Sequence, residues 1–168
     1  MIKLFIRIVI LNIFLINPSL SEIVNEIDVK GNQRISDETI LVIGDINIGA
    51  DYNNDDLNRI IKNLYSSDFF KDLSINLNNN ILNVKLIENP IIEDIQIKGI
   101  RSEQTKENLL ENINLKNRKS FTDGSLQEDI NLIKNILKTN GYYFVEVTPS
   151  ISKNDELHSI RIDIDINQ

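Results

Sequence analysis

Few residues in this chain are of a type that could do chemistry, and their spacing argues against each in turn. His158 is the only histidine. It stands close to an Asn154-Asp155 turn with no second histidine to share a metal or a proton, and reads as a solvated side chain. Asp51, Asp55 and Asp56 carry enough charge for calcium, but the Asp-x-Asp-x-Asp-Gly run and the terminal Glu that supply such a loop with oxygens are missing. They read instead as acidic groups at the positive end of a helix. Glu93-Asp94, and Asp163 with Asp165, fall on strands and read as the solvated face of a sheet. Tyr142, Tyr143 and Phe144 could stack bases, yet a formal charge of −7 repels phosphate, so packing into a core is the reading and nucleic acid is not an expected partner. Gly31 and Gly99 belong to no phosphate loop. With no cysteine in the chain, disulfides, thiolate metal sites, a Cys nucleophile and a lipidated Cys are excluded. The expectation is a protein without catalytic residues, cofactor or metal, and not an enzyme.

What remains is binding, and the elements that would support it form a repeat. Ile27-Asp28-Val29-Lys30-Gly31 is echoed by Ile95-Gln96-Ile97-Lys98-Gly99, and Leu64-Tyr65-Ser66-Ser67-Asp68-Phe69-Phe70 by Leu137-Lys138-Thr139-Asn140-Gly141-Tyr142-Tyr143. Each copy reads strand, helix, helix, strand, strand. In the first, Ile27 and Val29 alternate with charged neighbours. Ser36 opens a helix, Gly44 and Gly49 bracket a loop, and Asn53 caps a second helix with the stripe Leu57, Ile60, Ile61, Leu64 and Tyr65. Leu73, Ile75 and Leu77 then alternate as a strand, and Asn78-Asn79-Asn80 turns tightly into Leu82, Val84 and Leu86.

In the second copy a helix is expected from about Ser102 to Ile113. A longer one is opened by Ser125 with Glu128 as a capping box and carries Leu126, Ile130, Ile133 and Leu137. Val145 and Val147 begin a strand, and Ile160, Ile162, Ile164 and Ile166 alternate without a break. Pro149 lies inside the preceding strand. Proline cannot donate to a ladder, so that strand must be an edge. Glu88-Asn89-Pro90 is the whole linker, with Pro90 stiffening the joint.

Residues 1–21 have the three parts of a secretory leader: Lys3 and Arg7, an apolar stretch from Ile8 to Ile16, and the small-residue pattern Ser19-Leu20-Ser21. Cleavage after Ser21 is expected, since the apolar stretch is about half of what spans a bilayer. The modules then cover residues 22–89 and 90–168, and the chain is expected to be exported.

These residues resemble the POTRA domains of BamA-like outer-membrane assembly factors. The resemblance runs over Ile23 to Gln168, and Glu88-Asn89-Pro90-Ile91 and Gly141-Tyr142-Tyr143 carry it best. Asp68 departs from the pattern, standing where the family usually has glycine. The resemblance implies an α+β fold of two tandem POTRA modules, each β-α-α-β-β with a three-stranded mixed sheet covered by a helix pair. It implies location on the periplasmic side of the outer membrane, and membrane contact only through a carboxy-terminal barrel that this sequence does not include. The implied partners are unfolded outer-membrane proteins, a periplasmic chaperone and accessory assembly lipoproteins, with clients held by β-augmentation. Two-partner secretion transporters, TamA-type translocation factors and FtsQ-like division proteins share the module and stand as alternatives.

The expected partner-binding strands are Leu73, Ser74, Ile75, Asn76 and Leu77 in the first copy and Val145, Glu146 and Val147 in the second. Proline at Ser74 or Asn76 is expected to remove a backbone donor that a client needs. Gly31, Gly99, Gly141 and Pro90 are expected to be structural.

Overall fold

A computed structural model describes residues 22–167. The expected leader lies outside the described residues. The chain order is β1 (Glu22–Ile23), β2 (Glu26–Lys30), α1 (Asp37–Gly44), β3 (Asp51–Tyr52), α2 (Asn54–Tyr65), β4 (Phe70–Asn78), β5 (Ile81–Glu88), β6 (Ile91–Lys98), α3 (Glu103–Asn112), α4 (Asp123–Thr139), β7 (Glu146–Asn154) and β8 (Ser159–Asn167). Two three-stranded mixed sheets result, in the orders β2-β5-β4 and β6-β8-β7. β1 and β3 add a short antiparallel pair, Glu22 opposite Tyr52 and Ile23 opposite Asp51, which the sequence did not announce.

Packing divides the chain into two compact units. Of the described residues, one holds those up to Asn63 with Leu73–Lys85, and the other holds Leu64–Asp72 with those from Leu86 onward. The repeat places a boundary at Pro90; this division follows contacts instead, so the segment Leu64–Asp72 is counted with the second unit.

In the first unit, β2 runs parallel to β5 with Ile27 opposite Leu82 and Val29 opposite Val84. Ser36 caps α1, its hydroxyl accepting from the Thr39 N–H at 3.3 Å. The Glu38 carboxyl is held below its ordinary value by its own backbone N–H and then by the Ser36 hydroxyl. Gly44 is the last residue of α1 and the loop follows it; a β-carbon there would lie 2.8 Å from the end of the Ile46 side chain, so glycine lets the next segment close on the helix without displacing that side chain. Asn53 caps α2 as expected, accepting from Asp55 and Asp56 at 2.8 and 3.1 Å.

In the second unit, β6 runs parallel to β8, which pairs antiparallel with β7. Ile160, Ile162, Ile164 and Ile166 are all buried, and with Ile92, Leu109, Ile133 and Leu137 they form a continuous core. On the opposite face of β8, Arg161 meets Glu93 at 2.6 Å and Asp163 meets Lys98 at 2.9 Å, tying the parallel pair together through exposed side chains. Ser102, near which a helix was expected to begin, caps α3. The expected cap of α4 is corrected: Thr122, with an extended backbone, is the cap and its side chain accepts from the Ser125 N–H at 3.1 Å. Ser125 therefore lies inside the first turn, and no capping box forms at Ser125 and Glu128.

One buried charge holds this unit's helices in register. Asp129, on the inner face of α4, is 0% exposed and accepts from the backbone N–H groups of Asn114 and Leu115 at 2.8 Å each and from the Asn114 carboxamide at 3.0 Å. These are the donors of the loop that leaves α3, so a buried carboxylate replaces water there.

Candidate binding edges

A sheet can take another strand only where an outermost strand has backbone groups pointing away from its neighbour. The sheet orders make β4 and β7 outermost, so Pro149 correctly marked an edge. Which residues on these strands face outward follows from antiparallel geometry, in which successive residues alternate between exchanging both hydrogen bonds with the partner and turning both groups away.

In β7, Pro149 stands opposite Ile164. Having no N–H, it fits the position that faces away, and Val147 and Ile151, two residues to either side, share that direction. This edge therefore presents a gap in its row of donors at Pro149.

In β4 the phase is set by the turn. Asn79 and Asn80 have φ of 52° and 64° and separate the strand ends Asn78 and Ile81 by two residues. Such a turn makes the flanking residues a pair that exchanges both hydrogen bonds. Asn78, Asn76 and Ser74 accordingly spend their backbone groups on β5, while Ile75 and Leu77 turn theirs outward. The expectation for proline at Ser74 or Asn76 is thereby corrected: it would break the β4–β5 ladder, and the outward donors belong to the odd-numbered residues.

The side chains of β4 alternate around this edge. Leu73 is buried, Ile75 and Leu77 are half-buried, and Ser74 and Asn76 are exposed. The alternation slips one residue earlier, where Lys71 and Asp72 are both exposed between buried Phe70 and Leu73. On the second edge, Val147 is buried, Glu146 is exposed, and half-buried Val145 precedes the strand.

Of the expected structural residues, Gly31, Gly99 and Gly141 all have positive φ, at 96°, 86° and 91°. Asp68 takes the place of a glycine with φ of 59°. Its carbonyl accepts from the Asn89 carboxamide, and that of Phe69 from the Asn89 N–H, both at 2.8 Å. Pro90 follows, and its carbonyl accepts from Phe121 N–H at 2.8 Å.

The expectation that Tyr142, Tyr143 and Phe144 pack into the core holds only for Tyr142, which is packed against it. Tyr143 is 68% exposed and Phe144 94%. Tyr65 is likewise exposed, at the outer margin of the α2 stripe. His158 is an exposed turn residue with φ of 45°, and its carbonyl accepts from Ile91 N–H at 3.0 Å. Among the described residues, no group of three or more His, Cys, Asp or Glu could hold a metal ion, and no helix is long and apolar enough to cross a membrane.

Against known proteins, the family model described as POTRA, surface antigen variable number repeat, matches residues 22–89 and again 90–168. An outer membrane protein assembly factor BamA from Neorickettsia risticii is 36% identical over 87 residues, covering 52% of this chain and 12% of that protein. Its counterpart from Neisseria meningitidis serogroup B is 29% identical over 146 residues, covering 85% and 18%. The chain thus spans less than a fifth of these relatives. Among solved structures, the N-terminal domain of Omp85 from Thermosynechococcus elongatus superposes with a TM-score of 0.57 at 15% identity, over 86% of this chain and 62% of that one. POTRA1-2 of the periplasmic domain of Omp85 from Anabaena gives 0.53 at 13% identity, over 88% and 97%. At those identities the two structures speak for the fold.

Proposed function

The chain belongs to the POTRA family and carries two copies of its module, and from that premise we propose that it binds unfolded outer-membrane proteins on the periplasmic side of the outer membrane by adding a client segment to the outer edge of β4 at Ile75 and Leu77. One module ends and the next begins at Pro90. The reading is of a binding scaffold, not an enzyme; a periplasmic chaperone and accessory lipoproteins are the further partners it would meet.

The observation that carries it is the outward row at Ile75 and Leu77. Among the described residues, no strand lies beyond β4 in its sheet. The usual protections of an edge are charge, a bulge or a proline, and along this strand the charges stop at Asp72. Main-chain pairing needs no particular client sequence, which suits a surface that must accept many unfolded chains. β7 has the same geometry but lacks a donor at Pro149, so it is the poorer of the two edges.

Photoreactive side chains placed singly along both strands, with an unfolded outer-membrane protein segment added, test the assignment. Crosslinks should concentrate at Ser74 and Asn76, which flank the outward donors and are exposed. Equal labelling along β7, or labelling confined to surfaces away from both strands, would remove the basis for it.

A further inference from the structure

Asparagine is followed by glycine once in the chain, at Asn140-Gly141. The pair matters chemically because glycine has no side chain to shield its peptide nitrogen. That nitrogen, once base has taken its proton, can attack the carboxamide carbon of the preceding asparagine. A C–N bond forms, Nδ2 takes up a proton and leaves as ammonia, and a five-membered imide remains. Water then opens the ring at either carbonyl, giving an aspartyl link or an isoaspartyl one whose backbone is longer by one carbon.

The structure places this pair where water reaches it. Both residues are exposed in the turn that ends α4, Gly141 has φ of 91°, and Asn140 lines a cleft of about 320 Å³ with Gln104, Thr105 and Asn108 of α3. The same turn engages both reacting groups elsewhere. The Asn140 carboxamide donates back to the Ile136 carbonyl at 2.8 Å, and the Gly141 N–H donates to the Lys138 carbonyl at 3.1 Å. Attack requires both bonds to open, and helix ends are where local opening needs the least free energy.

The first copy makes the same turn without the reactive pair. Ser67 stands at the position of Asn140, and its hydroxyl donates to the Leu64 carbonyl at 2.6 Å. Asp68 takes the left-handed conformation that Gly141 takes in the second copy. The turn therefore uses a side-chain donor at this position but does not require asparagine.

We propose that Asn140 is a site of spontaneous deamidation, gated by the opening of the last turn of α4. The product loses the donor to Ile136 and gains a negative charge at the negative end of the helix dipole. As isoaspartate it also lengthens the turn that leads Tyr142 back onto the core. The modified second module should therefore unfold more readily than the intact one.

Incubating the folded 168-residue chain at mildly alkaline pH, followed by peptide mapping in a mass spectrometer, tests the proposal. Asn140 should convert before any other asparagine, with isoaspartate the larger product. Conversion should run several-fold faster in guanidinium chloride strong enough to unfold the chain. The modified fraction should lose its circular dichroism at lower denaturant than the intact fraction. Asn140→Ser should fold as the parent does and leave the peptide that begins at Thr139 unchanged over the same incubation. Conversion led by another asparagine, or a rate at Asn140 that unfolding does not raise, overturns the proposal.

Discussion

A β-carbon on Gly99 would lie 1.9 Å from the carbonyl oxygen of Ile166. β6 ends one residue earlier, with Lys98 opposite Asp165 on β8, so the chain leaves the parallel pair by turning directly over its neighbour's backbone. The positive φ of 86° and this close approach are two separate reasons for glycine at one position.

Gly99→Ala is accordingly expected to destabilise the second module by roughly 3 kcal/mol or more, combining left-handed strain with a clash against backbone that cannot rotate away. Gly141 has a similar φ of 91° but open space around it, so Gly141→Ala should cost only about 1–2 kcal/mol. Urea midpoints at unchanged slope measure both. Equal losses would mean that the Ile166 carbonyl moves aside.

Asp129 should be intolerant of substitution although it is in no functional surface. Asp129→Ala leaves the N–H groups of Asn114 and Leu115 without their acceptor inside the protein, which costs about 1–3 kcal/mol for each group left unsatisfied. Asp129→Asn keeps one carbonyl and should recover part of the loss. Thermal melts of the two variants check the order; an alanine variant as stable as the parent would show that water reaches the loop.

The strands were legible in the sequence because period-two alternation needs nothing beyond the chain itself, as in Ile160 to Ile166. Asp129 was not, although a signal existed: it falls three residues after Leu126, on the same stripe as Ile130 and Ile133, where an acid must be either solvated or bonded. The cap of α4 escaped because Thr122 and Ser125 both carry hydroxyls, and only backbone direction distinguishes them. The outward residues of β4 required the two-residue turn at Asn79-Asn80, since alternation tells which side chains share a face and not which N–H groups are spent. For Tyr143 and Phe144, residue type indicates burial, and the structure leaves both exposed.

The exposed ion pairs on the β6–β8 face should contribute at opposite ends of the pH scale. Arg161 holds the Glu93 carboxyl below its ordinary value of 4.5, so its contribution is present above that value and is lost as pH falls through the lower folded pKa. Asp163 holds Lys98 above its ordinary value of 10.5, so that contribution is complete below 10.5 and is lost as pH rises through the higher folded pKa. Glu93→Gln should therefore flatten the acid limb of a stability profile and leave the alkaline limb alone, while Lys98→Met does the reverse. Both effects should be small and shrink with added salt; insensitivity of either limb to its own variant would show that the pair is not formed in solution.

The sharpest test of client binding comes from the protein's own second copy. Val147 and Leu73 are the first buried residues of β7 and β4 to lie within the regular alternation, so Pro149 and Ile75, each two residues on, are equivalent. Pro149 shows that the fold accepts proline there. Ile75→Pro should consequently leave the β4–β5 ladder intact, and circular dichroism should show a folded chain with a loss on the order of the half-buried isoleucine side chain, about 1–2 kcal/mol. It removes one outward N–H, so its affinity for an unfolded outer-membrane protein segment should fall several-fold. Ser74→Pro, one residue away, deletes a donor to β5 and should cost about 3 kcal/mol or more in stability. Asn76→Ser, which changes a side chain only, should bind as the parent does. The reciprocal variant, Pro149→Ile, restores a donor to β7 and should raise binding at that edge in crosslinking or NMR shift mapping. If Ile75→Pro folds and binds as well as the parent, and Pro149→Ile gains nothing, clients are not held through the main chain of either edge.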